Sequence, residues 1–128
     1  MLIVVVAINH IVMDLSAFLS NPTEETFENV WGPYYENHYD QIPALHCAIS
    51  HHSIKAARFL LNKGMNVNIK DTNRNTPLHI AVLDKNKDMI KLLVDNGADI
   101  HAVNVHKRTP YLIATQHNNK DILAILSK

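Results

Sequence analysis

Nine histidines and a single cysteine, Cys47, are the side chains of this chain with most scope for chemistry, followed by the adjacent cations Lys107 and Arg108. A zinc ion would want four ligands at close quarters, usually with paired cysteines among them. One cysteine cannot supply that set and the histidines are scattered, so no metal site is expected. His51 and His52 are neighbours, which on a helix would point them in different directions. Cys47 with His46 or His79 has the composition of a thiol pair, but Cys47 sits in an apolar stretch beside Ala48, and a core cysteine is the simpler account. Phosphate cradles need clustered glycines, whereas Gly32, Gly64 and Gly97 stand far apart. Two bases at a turn tip are ordinarily solvated, so Lys107 and Arg108 do not by themselves make a nucleic-acid site. No catalytic residue, cofactor site or small-molecule substrate is expected, which leaves recognition by surfaces.

The elements that would position these side chains are clearest between Asp71 and Val103. Thr76 directly before Pro77 suits a helix N-cap followed by a first-turn proline, whose missing N–H would have no partner there anyway. Leu78, Ala81 and Val82 then recur at three- and four-residue spacing, giving one apolar face that an alanine keeps low enough for close helix approach. The polar run Asp84, Lys85, Asn86, Lys87 and Asp88 is expected to end that helix. Met89, Ile90, Leu92, Leu93 and Val94 predict a second helix, closed by Gly97 in the left-handed conformation.

This helix-turn-helix unit recurs. Thr109 and Pro110 lie 33 residues after Thr76 and Pro77, and Ala48 and Ala114 lie 33 residues either side of Ala81. The same offset relates Leu45 and His46 to Leu78 and His79, and Gly64 to Gly97. A period of 33 enclosing T-P-L-H-x-A is the ankyrin signature. The central unit closely resembles an ankyrin repeat, with TPLHIA and NGADIHA in register. PALHCA (Pro43 to Ala48) and TPYLIA (Thr109 to Ala114) resemble it less fully, the latter having Tyr111 for leucine and Leu112 for histidine.

The resemblance implies an all-α ankyrin-repeat solenoid of stacked helix-turn-helix units. Its expected parts are an apolar N-terminal segment with a degenerate helical capping unit over residues 1–37, repeats over 38–70 and 71–103, and a shortened third repeat over 104–128 as C-terminal cap. In that family His46 and His79 would hydrogen-bond within and between repeats. Partners bind the concave face of turn tips and exposed first-helix sides. Carried over, the tips are Tyr39, Asp40, Ile42, Thr72, Asn73, Asn75, Val105, His106 and Arg108, and the helix positions are Ser50, His51, Leu83, Asp84, Gln116 and His117. Arg74 and Lys107 stand where glycine is usual, which costs about 1 kcal/mol each in left-handed geometry. The expected partner is another protein, with the chain as inhibitor or adaptor, or as a structural subunit of a larger assembly. Short ankyrin-only proteins of viral or microbial origin, some mimicking inhibitors of Rel-type (NF-kappa-B) transcription factors, look similar.

Charge is uneven along the chain, but an elongated stack displays both ends equally, so its sign identifies no partner and a solvated surface is the simpler account. Residues 1–54 carry six acids and no lysine or arginine, while residues 55–128 carry twelve bases and six acids, so the halves are −6 and +6. A lone cysteine builds no intramolecular disulfide, which fits an intracellular setting, cytoplasmic or nuclear. The apolar run Met1 to Met13 falls short of the roughly 20 residues a membrane helix needs, and it lacks the basic start of a secretory signal. No transmembrane segment is expected, and Met13 is an alternative start. Between Asp14 and Trp31, two short helices broken at Asn21 and Pro22 are expected, with Asn21 or Thr23 capping the second and Phe27, Val30 and Trp31 as its buried stripe.

Overall fold

Thr76 and Thr109 begin their helices by accepting from the N–H three residues on, His79 and Leu112, with proline next in line in each case. The computed structural model describes residues 15–27, 29 and 44–127. In chain order the elements are α1 (15–20), α2 (24–27 and 29), α3 (Ala44–Ser50), α4 (Ile54–Asn62), α5 (Pro77–Leu83), α6 (Lys87–Asp95), α7 (Pro110–Gln116) and α8 (Lys120–Leu126). Among the described residues there is no strand, and the architecture is the expected all-α series of helix pairs. No helix among them is long and apolar enough to cross a membrane.

The second helix of each pair starts from a device the sequence pattern hid. Ser53, Asn86 and Asn119, spaced by 33, each accept at 3.2 Å from the N–H three residues on. Each cap is worth about 1 kcal/mol. The polar run after α5 is therefore not all helix-breaking, which corrects the expectation. Asp84 ends α5, Lys85 turns the chain at φ 56°, and Asn86 starts α6, so Lys87 and Asp88 lie in the first turn of α6. Gly97 ends α6 at φ 89°, and Gly64 follows α4 at φ 96°, as expected.

Helices α3, α5 and α7 pack side by side in one layer and α4, α6 and α8 in a second. Ala48, Ala81 and Ala114 are buried at the same place in successive units, where a small side chain lets neighbouring axes approach. Leu45, Leu78, Ile90, Leu93 and Ile113 are fully enclosed, each contributing about 1.5–3 kcal/mol. At the far end the pattern changes. Tyr111, Leu112 and Thr115 occupy the positions that Leu78, His79 and Val82 bury against the following repeat, and among the described residues nothing covers them. Tyr111 and Leu112 are each 40% exposed. The outer surface of the third repeat thus carries apolar groups beside the polar Gln116, Asn118, Lys120 and Ser127.

At the other end, α1 and α2 dock on α4 through Phe18, Phe27 and Phe59, whose ring centroids lie 5.7–6.3 Å apart. Ser53 Oγ also donates to the Leu19 carbonyl at 2.8 Å. Lys63 reaches Glu24 at 2.7 Å, but that pair is exposed and worth about 0–1 kcal/mol, so aromatic burial dominates the docking. Thr23, not Asn21, caps α2 by accepting from the Thr26 N–H. Val30, Trp31 and residues 1–13 lie outside the described residues.

A Cβ placed on Gly97 would meet nothing within 4 Å, so only backbone conformation resists substitution there. Gly97→Ala should lower stability by about 1 kcal/mol, and Lys85→Gly should raise it by a comparable or smaller amount. Urea denaturation with an unchanged slope checks both, and an unaffected Gly97→Ala would contradict the conformational account.

Candidate functional site

Between the helix pairs the chain makes two described fingers. In the first, the Asp71 carboxylate accepts from the Asn73 and Asn75 N–H groups at 2.8 and 2.9 Å, and the Asp71 N–H donates to the Asn75 carbonyl. In the second, Asn104 does the same work, its Oδ1 accepting from the His106 and Arg108 N–H groups at 2.9 and 3.1 Å. Arg74 and Lys107 make the tips at φ 60° and 59°, the left-handed turn expected of them. The Val105 N–H donates to the Asn73 carbonyl at 3.0 Å and Asn104 Nδ2 donates to Asn75 Oδ1 at 3.0 Å, so the fingers stand bonded side by side.

Histidine fastens each finger to the preceding helix pair. The Thr76 N–H donates to His79 Nδ1 at 3.1 Å, so Nδ1 is the acceptor nitrogen and Nε2 carries the hydrogen donated to the Arg108 carbonyl at 2.9 Å. His46 Nε2 makes the same bond to the Asn75 carbonyl at 2.7 Å. Its Nδ1 is buried with no partner among the described residues; in the sequence the residue 33 before Thr76 is Pro43, which has neither hydroxyl nor N–H. Burial holds both rings below the ordinary histidine range, and the carbonyl bonds oppose that only partly.

Most of the predicted recognition residues that the structure describes are exposed. Thr72, Asn73, Val105 and His106 are exposed on the fingers. Ser50, Leu83 and Gln116 end α3, α5 and α7 and are exposed, as are His51, Asp84 and His117 immediately after them. Asn75 and Arg108 are half-buried, and their main-chain carbonyls receive the histidines. Tyr39, Asp40 and Ile42 lie outside the described residues. Val103 and Val105, 43% and 48% exposed, flank the second finger, and Val103 was not among the predicted residues. Nothing in the sequence signalled it, since the finger has no fixed period.

The thiol reading takes a different partner from either histidine considered. Cys47 is half-buried, and its Sγ lies 3.7 Å from His51 Nδ1. That nitrogen is 2.9 Å from the Cys47 carbonyl, to which only an Nδ1–H can bond, so it is no base toward sulfur. Burial raises the thiol above its usual range, which disfavours the thiolate a nucleophile needs. Among the described residues no three His, Cys, Asp or Glu side chains gather as metal ligands.

Folded-state histidine values below 6.5 mean that the unfolded chain takes up protons first as pH falls. Stability should be full above pH 6.5 and decline as pH drops through that value toward the folded ones. Thermal melts between about pH 8 and pH 5 should show this fall, and a flat profile would contradict it. His79→Ala should cost about 1 kcal/mol more than His46→Ala, since it also strips the Thr76 N–H of its acceptor.

The family model for ankyrin repeats, in three copies, matches residues 20–104 and 71–128. A stretch of 42 residues is 45% identical to the transient receptor potential cation channel subfamily A member 1 of Homo sapiens, covering 33% of this chain and 4% of that protein. The chain therefore spans only a small part of that relative's length. Ankyrin repeats are general protein–protein interaction modules on a non-catalytic fold. The 33-residue period is thus carried by a match that runs from residue 20 to residue 128, and the chain belongs to the ankyrin repeat family.

Proposed function

We propose that this chain binds a partner protein through its concave surface and acts as an inhibitor or adaptor by occupying that partner. The observation that carries this is the alignment of exposed side chains, at 33-residue spacing, along the ends of α3, α5 and α7 beside bonded fingers. A surface already fixed by side-chain bonds loses little conformational freedom on binding, so more of each contact appears as affinity. Leu83 at 38% exposure and Val105 supply apolar contact among polar Asn73, His106 and Gln116, the usual mixture of a non-obligate interface. The free thiol of Cys47 fits a reducing, intracellular compartment. A Rel homology domain is a partner that resemblance alone suggests, and no feature of the surface favours it.

Affinity capture compares the chain with a variant carrying Asn73→Ala, Leu83→Ala, His106→Ala and Gln116→Ala, folding checked by circular dichroism. Asn75 and Arg108 stay intact because their segments anchor the histidines. A partner held by the parent and lost by the variant is the expected result. Retention by both would move the interface to another face and leave the structural-subunit reading in its place.

A further inference from the structure

We infer that the paired fingers of the second and third repeats are a docking site for an acidic protein segment, a partner class that rests on the protein-binding reading above. Residues 70–76 carry Lys70, Arg74 and one carboxylate, Asp71, while residues 103–109 carry Lys107 and Arg108 and no carboxylate. The two turn bonds to Asp71 and their counterparts in the next finger each run from a backbone N–H to a side-chain oxygen, and Asn104 accepts the latter pair without charge. The structural work of an acid is thereby kept on the second finger while its negative charge is removed.

The cations are left for a partner. Arg74, Lys107 and Arg108 form no ion pair among the described residues. The Val105 N–H bond to the Asn73 carbonyl keeps the two tips adjacent, which lets one extended segment meet both. Arg74 and Lys107 occupy left-handed backbone where glycine would be unstrained, so cations stand where the fold itself would favour no side chain. Val103 and Val105 add exposed aliphatic surface to the second finger. No Phe, Tyr or Trp lies in either finger, and stacking of bases would want one, so protein is favoured over single-stranded nucleic acid.

The same glycine argument supplies a test that separates charge from folding. Arg74→Gly with Lys107→Gly removes both tip charges while relieving backbone strain, so the variant should fold at least as well. The probe is a short fluorescein-labelled glutamate peptide with a central leucine, titrated by anisotropy against the full chain. A lysine peptide of the same design and a thymidine oligonucleotide serve as controls. Binding of the glutamate peptide alone, weakened about tenfold in the double variant and by added salt, is expected. No binding of the glutamate peptide, equal binding of the lysine peptide, an unaffected double variant, or tighter binding of the oligonucleotide would each overturn the inference. A captured partner that the double variant keeps, but the concave-face variant loses, would overturn it while leaving the broader protein-binding reading in place.

Discussion

One imidazole joins the central repeat to the one that follows it. His79 takes the Thr76 N–H on Nδ1 at its own helix start and, through Nε2, gives a hydrogen to the carbonyl of Arg108 in the next finger. Apolar burial between helix pairs is non-directional and holds units together without fixing how far a finger projects. A bond made 29 residues along the chain fixes that geometry. It holds only while the ring is neutral, since Nδ1 must accept and Nε2 must donate at once. Enclosure of the ring supplies that neutrality, so the packing which buries the histidine also preserves the bond that orients the packing.

Local preference yields to this repeated geometry wherever the two conflict. His52, Lys85 and Asn118, and again Arg74 and Lys107, hold positive φ at equivalent places in successive units. Glycine would be easier at each of them. What enforces the conformation is visible around Lys85, whose N–H bonds the Val82 carbonyl while the next residue bonds that of Ala81. With a helix on either side, a turn of that length has no other closure. Strain of about 1 kcal/mol per site is therefore small against two buried helix faces.

The same hierarchy explains which features could be read from the sequence. Thr76–Pro77, the alanines spaced by 33 and the glycines after α4 and α6 announce themselves because each residue type is chosen for its own conformation. Asn86 did not, since an asparagine among Asp84, Lys85, Lys87 and Asp88 looks alike as breaker or cap until the first helical N–H is located. Tyr111 and Leu112 stand at buried motif positions, yet burial depends on a unit beyond them, which no local pattern records. Asn75 and Arg108 mark the subtlest case. Both were identified as tip residues, but what they contribute to the fold is a main-chain carbonyl, and every residue has one.

That last distinction bears on how such a surface acquires specificity. Where structure rests on a carbonyl or on left-handed backbone, the side chain at that position is free to vary at modest cost. The two fingers illustrate the freedom: with Asp71 and Asn104 each supplying the side-chain oxygen that accepts the same two turn N–H groups, Asn73 becomes His106 and Asn75 becomes Arg108. Charge can thus change from one repeat to the next without disturbing the solenoid. Helix-face positions have no such latitude, because Ala81 or Leu93 changed in size would open a cavity or force helices apart. Side chains are thus freest to vary where backbone groups do the structural work, and the fingers supply more such places than the buried helix faces do.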